Sequence, residues 1–147
     1  MMREKALLEK EGLVIKPVDP KDLHKWEIFI SFPDKDSLYY GHTYRVEVNI
    51  PANYPLQHPK CVFTSHIFHP NINADNGKIC LNIINDESNE WSAVMGLTSI
   101  AYGLQSLING PNLDSPLNLD AGSIFRHQDM RAAKSMINYY YTLNNVK

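Results

Sequence analysis

The chain has few of the residues that cross-link small proteins or bind metal ions. Its 147 residues include two cysteines, Cys61 and Cys80, which cannot form a disulfide framework, and no CxxC pair suggests zinc. Its six histidines are scattered without the HxxxH spacing of a metal site. We therefore expect no metal site and a fold held by its core, because a chain of this length buries roughly two thirds of its unfolded surface.

Long apolar runs and clusters of one charge are also missing. No apolar run approaches the roughly 20 residues of a membrane span, and residues 1–12 mix charged residues with leucines, unlike a signal peptide. A reducing compartment, cytosolic or nuclear, is therefore expected, without direct membrane insertion. The net charge of −2 and the mixing of acidic and basic residues argue against nucleic-acid binding. We expect one globular domain over residues 1–147.

Strand patterns occupy the first half of the chain. Residues 26–32 are rich in aromatic and β-branched side chains, and residues 44–50 alternate apolar and polar side chains. Residues 61–65 are a third candidate, and residues 38–40 could begin a hairpin arm. Together these segments predict an antiparallel meander of about four strands.

Helix patterns lie at both ends of the strand region. Residues 3–11 contain good helix formers, and the apolar residues between 97 and 108 repeat with the period of an amphipathic helix that Gly110 and Pro111 end. Residues 130–140 repeat this spacing, with Gln128 or Asp129 as a cap. Strands followed by helices predict an α+β domain.

Residues 69–83 bring an imidazole, a carboxamide and a thiol together between apolar residues. His69, Asn71 and Cys80 lie there among isoleucine and leucine side chains, and directly after Ile67 and Phe68, which should attach the segment to the core. Such anchoring suits a nucleophile, because a nucleophile held in place reacts as if highly concentrated. Cys61 lies in a strand-like run, where a small buried side chain is the simpler interpretation.

Three interpretations of Cys80 are open from these residues alone. In a cysteine hydrolase His69 would be the base, although Pro70 restricts it and a histidine among apolar residues is more often structural. Alternatively, the thiol could carry an acyl group as a thioester, with Asn71 donating to the oxyanion during transfer. In the third, the domain is a binding module and the cysteine does not react.

The order of these residues resembles that of the ubiquitin-conjugating enzymes. The matching residues are His69, Pro70, Asn71, Ile79, Cys80, Leu81, Trp91 and residues 111–117. The resemblance implies an N-terminal helix, a four-stranded antiparallel meander, a long central helix and C-terminal helices. It also implies that Cys80 takes ubiquitin as a thioester from an activating enzyme, which uses the ATP, and that a RING-type ligase directs transfer to a lysine or cysteine. No bound cofactor is implied.

The same resemblance implies further site roles. Asn71 would support the oxyanion or the active-site loop, while His69 and Pro70 would be structural. Ser115 would help to orient the acceptor, although a serine carries no charge at neutral pH. The spacing from Asn71 to Cys80 is one residue longer than usual, and the loop from Cys80 to Trp91 is about three residues longer than in compact members, so the rim beside the thiol should differ.

Two surfaces also follow from the resemblance. Leu56 matches a hydrophobic position that family members offer to ligases, together with Ala93, Val94 and the first helix. Tyr102 falls where the family often contacts the donor ubiquitin. Both surfaces are expectations that depend on the family alignment.

Residues 114–130 are similar to the peroxisomal members of the family, which ubiquitinate import receptors. This similarity implies an enzyme held at the cytosolic face of the peroxisomal membrane by a membrane-anchored partner. It also implies that the acceptor can be a cysteine of an import receptor. The alternatives are a general cytosolic ubiquitin-conjugating enzyme and a non-catalytic ubiquitin-binding scaffold of the same fold.

Overall fold

Four antiparallel strands and four α-helices form in the part of the chain that the structure, a computed structural model, describes, residues 2–145. The domain predicted over residues 1–147 includes Met1, Val146 and Lys147, which lie outside the described residues. The elements are α1 (Met2–Lys10), β1 (Leu13–Asp19), β2 (Asp22–Ser31), β3 (Thr43–Asn49), β4 (Lys60–Phe63), α2 (Leu97–Asn109), α3 (Leu119–Arg126) and α4 (Met130–Thr142), with 3-10 turns at Asn82–Ile84 and Leu143–Asn145. The predicted α+β class is confirmed.

The sheet is a meander in which each strand pairs with the next, in the order β1-β2-β3-β4. All three pairs are antiparallel, as predicted, and Ile28 of β2 lies between Ile15 and Val46. The alternation in β3 places Tyr44, Val46 and Val48 in the core and the intervening polar side chains on the outer face. One face of the sheet is therefore apolar and needs a covering layer.

The hairpin arm predicted at residues 38–40 is wrong. This segment is a turn in which the buried Tyr39 donates its hydroxyl hydrogen bond to the carbonyl of Phe68, at 2.7 Å. The fourth strand is instead β1, in which Lys16 and Pro17 interrupt the side-chain pattern of a strand. Proline is tolerated there because β1 is an edge strand, and Lys16 lies over the ring of Phe29, 5.2 Å from its centroid.

Helix α2 supplies an apolar face that completes the core. Ile100, Ala101, Leu104 and Ile108 are buried on it, as the spacing predicted. Gln105 fastens the helix to the N-terminal region, since its amide nitrogen donates to the carbonyls of both Glu11 and Ser31. At the other end of the chain, Asp129 caps α4 by accepting from the amide of Ala132, at 3.0 Å.

The connection from β4 to α2, residues 64–96, contains no α-helix and no named strand among the residues described, and it carries Cys80. Its regular features are two isolated backbone bridges, a 3-10 turn and a set of polar turns. Within residues 2–145, no helix has both the length and the apolar character required to cross a membrane.

Candidate active site

A short hairpin holds Cys80 opposite Asn71. The Cys80 amide donates to the Asn71 carbonyl, at 2.9 Å, and Ile72 pairs with Ile79 in an antiparallel bridge. Both isoleucines are buried, so they clamp the hairpin to the core. The amide of Asn73 closes the ladder by donating to the Lys78 carbonyl, also at 2.9 Å. Cys80 therefore sits on fixed backbone, although it lies outside regular secondary structure.

The turn of this hairpin depends on Gly77. Gly77 has φ +73°, its amide donates to the Asn73 carbonyl, and its own carbonyl accepts from the amide of Phe63, at 2.9 Å. The side chain of Asn73 accepts from the amides of Asp75 and Asn76, which turns the chain. The turn thereby joins the end of β4 to the bridged residues, Lys78 and Ile79, that lead into Cys80.

The two cysteines occupy different surroundings. Cys61 faces the core side of β4, and burial raises the pKa of its thiol to about 12. Its thiolate, the nucleophilic form, is therefore disfavoured. Cys80 is partly exposed, and the next residue, Leu81, packs against Gly103 of α2 so closely that an added Cβ would lie 3.4 Å from its side chain. Both cysteines keep some exposed surface, so the disfavoured thiolate of Cys61 is what leaves Cys80 as the candidate nucleophile.

His69 is fully buried and both of its ring nitrogens are bonded. Nε2 lies 3.0 Å from the Leu107 carbonyl and 3.1 Å from that of Ile108, while Nδ1 accepts from the Asn71 amide at 3.0 Å. This pattern requires a neutral ring protonated at Nε2. Burial lowers the pKa of His69 to about 4, although the two carbonyl hydrogen bonds oppose the change. Such a ring has no nitrogen left to deprotonate Cys80, so the hydrolase mechanism lacks its base.

The depressed pKa of His69 predicts a specific loss of stability in mild acid. Between about pH 6.5 and 4 the unfolded chain binds a proton that the native chain does not, so the free energy of unfolding falls as the pH falls. The full difference is about 3 kcal/mol. Thermal unfolding should show this between pH 7 and 5, and His69→Gln should have a smaller slope. An equal slope in both proteins would contradict the prediction.

Asn71 joins the hairpin to a distant loop. Its side chain is buried, with Nδ2 donating to the Asn112 carbonyl at 2.7 Å and Oδ1 accepting from the Asn112 amide at 2.8 Å. The carbonyl of Pro70 accepts from the amides of Leu117 and Asn118, at 2.7 and 3.1 Å. Residues 69–71 therefore hold the loop from 112 to 118 beside the hairpin. That loop carries Ser115, which is exposed.

The residues expected to meet a ligase are exposed on two loops that touch each other. Leu56 is 78% exposed and Val94 is 93% exposed, and Ala93 is exposed beside it. The indole nitrogen of Trp91 donates to the Pro55 carbonyl, at 2.8 Å, and this bond joins the two loops. Two apolar side chains are thus presented to solvent by connected segments, as a partner surface requires.

Tyr102 lies on the side of α2 that faces α1. Its ring is half-buried, and partial burial, followed by the carboxylates of Glu11 and Glu4, raises the pKa of its hydroxyl. Gly103, by contrast, lies on the side of α2 that contacts Leu81, the residue after Cys80. The Tyr102 hydroxyl therefore lies near the carboxylates of Glu11 and Glu4.

Two important residues of the site were not expected from the sequence. Asn112 binds Asn71 only through its backbone atoms, so its side-chain type carries no signal of this contact. Gly77 did have a sequence signal, because the dipeptide of Asn76 and Gly77 is typical of tight turns. Within residues 2–145 there is no group of three or more His, Cys, Asp or Glu placed to hold a metal ion.

Comparison with known proteins links this geometry to one family. The family model described as "Ubiquitin-conjugating enzyme" matches residues 1–141. The ubiquitin-conjugating enzyme E2 pex4 of Dictyostelium discoideum is 35% identical over 146 residues, covering 97% of this chain and 95% of that protein. Protein PEROXIN-4 of Arabidopsis thaliana is 36% identical over 125 residues, covering 85% and 77%. Among solved structures, H. polymorpha Pex4p in complex with the soluble domain of Pex22p superposes with a TM-score of 0.81 at 27% identity, covering 96% of this chain and 93% of that one.

Proposed function

The chain belongs to the ubiquitin-conjugating enzyme family, and from this premise we propose that Cys80 is the residue on which it carries ubiquitin as a thioester. The observation that supports this choice is the hairpin of residues 71–80, in which the backbone amide of the partly exposed Cys80 donates to the Asn71 carbonyl. Cys61, whose thiolate burial disfavours, is a poor alternative. Cys80 is thus the nucleophile in the proposed reaction.

The proposed reaction is two successive acyl transfers. The Cys80 thiolate attacks the thioester carbonyl by which the activating enzyme holds ubiquitin, and the activating enzyme leaves as a thiolate. An acceptor amine or thiol then attacks the new thioester and releases Cys80. No cofactor bound to this chain takes part, and ATP is consumed upstream by the activating enzyme. A purified chain incubated with activating enzyme, ATP and ubiquitin should form a thiol-sensitive adduct, and absence of any adduct would overturn the proposal.

For Asn71 we propose loop support as the main role. Both polar atoms of its buried carboxamide are already bonded to the backbone of Asn112. The second hydrogen on Nδ2 could still reach an oxyanion, but the side chain first has to keep its loop bonds. His69 and Pro70 fit the same structural role, because their polar groups bind α2 and the loop from 112 to 118.

Asn71→Ala should therefore reduce both stability and transfer. It leaves the amide and the carbonyl of Asn112 without their partner, which costs about 2 kcal/mol. Ubiquitin release from the charged enzyme to free lysine should slow at least tenfold, since the loop is displaced. The control is Asn82→Ala, which removes an exposed carboxamide two residues after Cys80. Slow transfer with an unchanged melting temperature would instead favour a purely oxyanion role.

We propose that Ser115 orients the acceptor from the loop held by Asn71. Its exposed hydroxyl can donate or accept a hydrogen bond but cannot act as a charged base at neutral pH. This limitation matters less for a cysteine acceptor, because an unperturbed thiol has a pKa of about 8.5 against about 10.4 for lysine. The site is therefore suited to a cysteine acceptor as well as to lysine.

The partner surfaces extend this proposal. Leu56, Ala93 and Val94 form the surface for a RING-type ligase, and Tyr102 borders the α2 surface for the donor ubiquitin. The exposure of Leu56 and Val94 supports the first of these sites. The half-buried ring of Tyr102 leaves part of its edge for the second.

We further propose a peroxisomal role. Relatives named as pex4 and PEROXIN-4 support this assignment, and the Pex4p structure was solved with the soluble domain of Pex22p. The chain would be held at the cytosolic face of peroxisomes by a membrane-anchored partner of the Pex22p type and would act on an import receptor. Cross-linking and capture of the tagged chain from cells should recover a membrane-anchored peroxisomal protein. Recovery of cytosolic partners alone would favour a general ubiquitin-conjugating enzyme.

A further inference from the structure

A short side-chain contact joins the loop after the nucleophile to the loop that carries Leu56. The Nε2 atom of His58 lies 2.5 Å from Oδ1 of Asp86. His58 follows Leu56 by two residues, and Asp86 follows Cys80 by six. The two partners differ in exposure, since the side chain of His58 is 9% exposed and that of Asp86 is 74% exposed. A largely buried imidazole thus meets a carboxylate at the surface.

The ring of His58 has an oxygen atom next to each of its nitrogens. Nδ1 lies 2.8 Å from the carbonyl oxygen of Pro59, while Nε2 faces the Asp86 carboxylate. The other residues that line this recess are uncharged: Asn53, Leu56, Gln57, Asn85, Asn89 and Trp91. Asp86 therefore supplies the only carboxylate among the residues that line the recess.

Asp86 is also part of a compact polar turn that reaches back toward Cys80. The hydroxyl of Ser88 donates to the carbonyls of Asn82 and Asn85, and the Ser88 amide donates to the Asn85 carbonyl, at 3.2 Å. Asn89 has φ +57°, which reverses the chain direction. These hydrogen bonds therefore connect the turn that contains Asp86 to Asn82, two residues after the nucleophile.

From these contacts we infer that the hydrogen bond between His58 and Asp86 positions the loop after Cys80 and couples it to the surface that includes Leu56. The pair acts beside the Trp91 bond to Pro55, which fastens the far end of the same loop. His58 and Asp86 are positioning residues, since neither touches the reacting atoms. This inference rests on the proposed function for its effect on transfer, but the coupling between the loops can be measured without ubiquitin.

The ubiquitin-independent test is hydrogen exchange. Asp86→Asn keeps the shape and removes the charge, so the amides of residues 82–91 should exchange faster than in the unmodified chain. Glu87→Gln is the matched control, because it removes an exposed carboxylate from the next position. Exchange in this loop should be unchanged in the control. Equal protection in Asp86→Asn and the unmodified chain would overturn the inference, whatever the protein does with ubiquitin.

The functional test uses the charged enzyme and free lysine. Asp86→Asn and His58→Gln should each slow ubiquitin release about fivefold, the size expected for one side-chain hydrogen bond, and the double variant should be no slower than either. Asp86→Glu should recover part of the rate. Multiplying effects in the double variant would contradict the coupling.

Discussion

Cys80→Ala will abolish the thiol-sensitive ubiquitin adduct, while Cys61→Ala will form it at close to the normal rate. The first change removes the only thiol on the hairpin, and loss of a covalent nucleophile typically lowers a rate by at least about a thousandfold. The second removes a thiol on the core side of β4 whose raised pKa keeps it protonated. Non-reducing electrophoresis after incubation with activating enzyme, ATP and ubiquitin measures both outcomes.

Cys80→Ser separates loss of the nucleophile from loss of the fold. Oxygen in place of sulfur should yield, slowly, an oxyester that survives thiol treatment and is cleaved by base. All three variants should have melting temperatures within a few degrees of the unmodified chain, since neither cysteine is cross-linked. A thiol-sensitive adduct on Cys80→Ala, or its loss in Cys61→Ala with the fold intact, would move the nucleophile to Cys61.

The strands were predictable where a side-chain pattern alone specifies them. The alternation of β3 appears directly in its buried and exposed residues, so the sequence suffices. β1 was missed because Lys16 and Pro17 break the pattern, and its identity depends on pairing with β2. The segment at 38–40 has strand composition, yet the bond from Tyr39 to Phe68 uses it to anchor the active-site segment. A hydrogen bond to a backbone carbonyl 29 residues away leaves no local signature.

The active-site residues also differ in how far a local pattern in the sequence specifies them. The chemical candidates, His69, Asn71 and Cys80, could be named from residue type and order. The groups that each one binds could not be named, because His69 contacts carbonyls in the last turn of α2 and Asn71 contacts the backbone of a residue 41 positions away. A residue that binds only through its backbone atoms can be of almost any type, so its role cannot be recognised in a single sequence. The roles of these residues therefore needed three-dimensional positions, whereas their identities did not.

Gly77→Ala will destabilise the fold far more than the same change at Gly41, although both glycines have positive φ. Gly41, at φ +83°, has nothing within 4 Å of an added Cβ, so alanine there meets only backbone strain of about 1 kcal/mol. At Gly77, with φ +73°, the added Cβ would overlap the Phe63 carbonyl oxygen and lie 3.0 Å from a side-chain atom of Val62. The turn must move to relieve this overlap.

That movement breaks the bond between the Gly77 carbonyl and the Phe63 amide and disturbs the hairpin that holds Cys80. We expect a total cost of at least about 4 kcal/mol, the range of the most damaging single substitutions. The melting temperature should therefore fall by more than about 10 °C in Gly77→Ala and by about 3 °C in Gly41→Ala. Because the strain from φ is shared, the difference between the two variants measures the close contact with β4. Equal losses would mean that the hairpin turn shifts freely, and Cys80 would then lack the fixed backbone on which its proposed role depends.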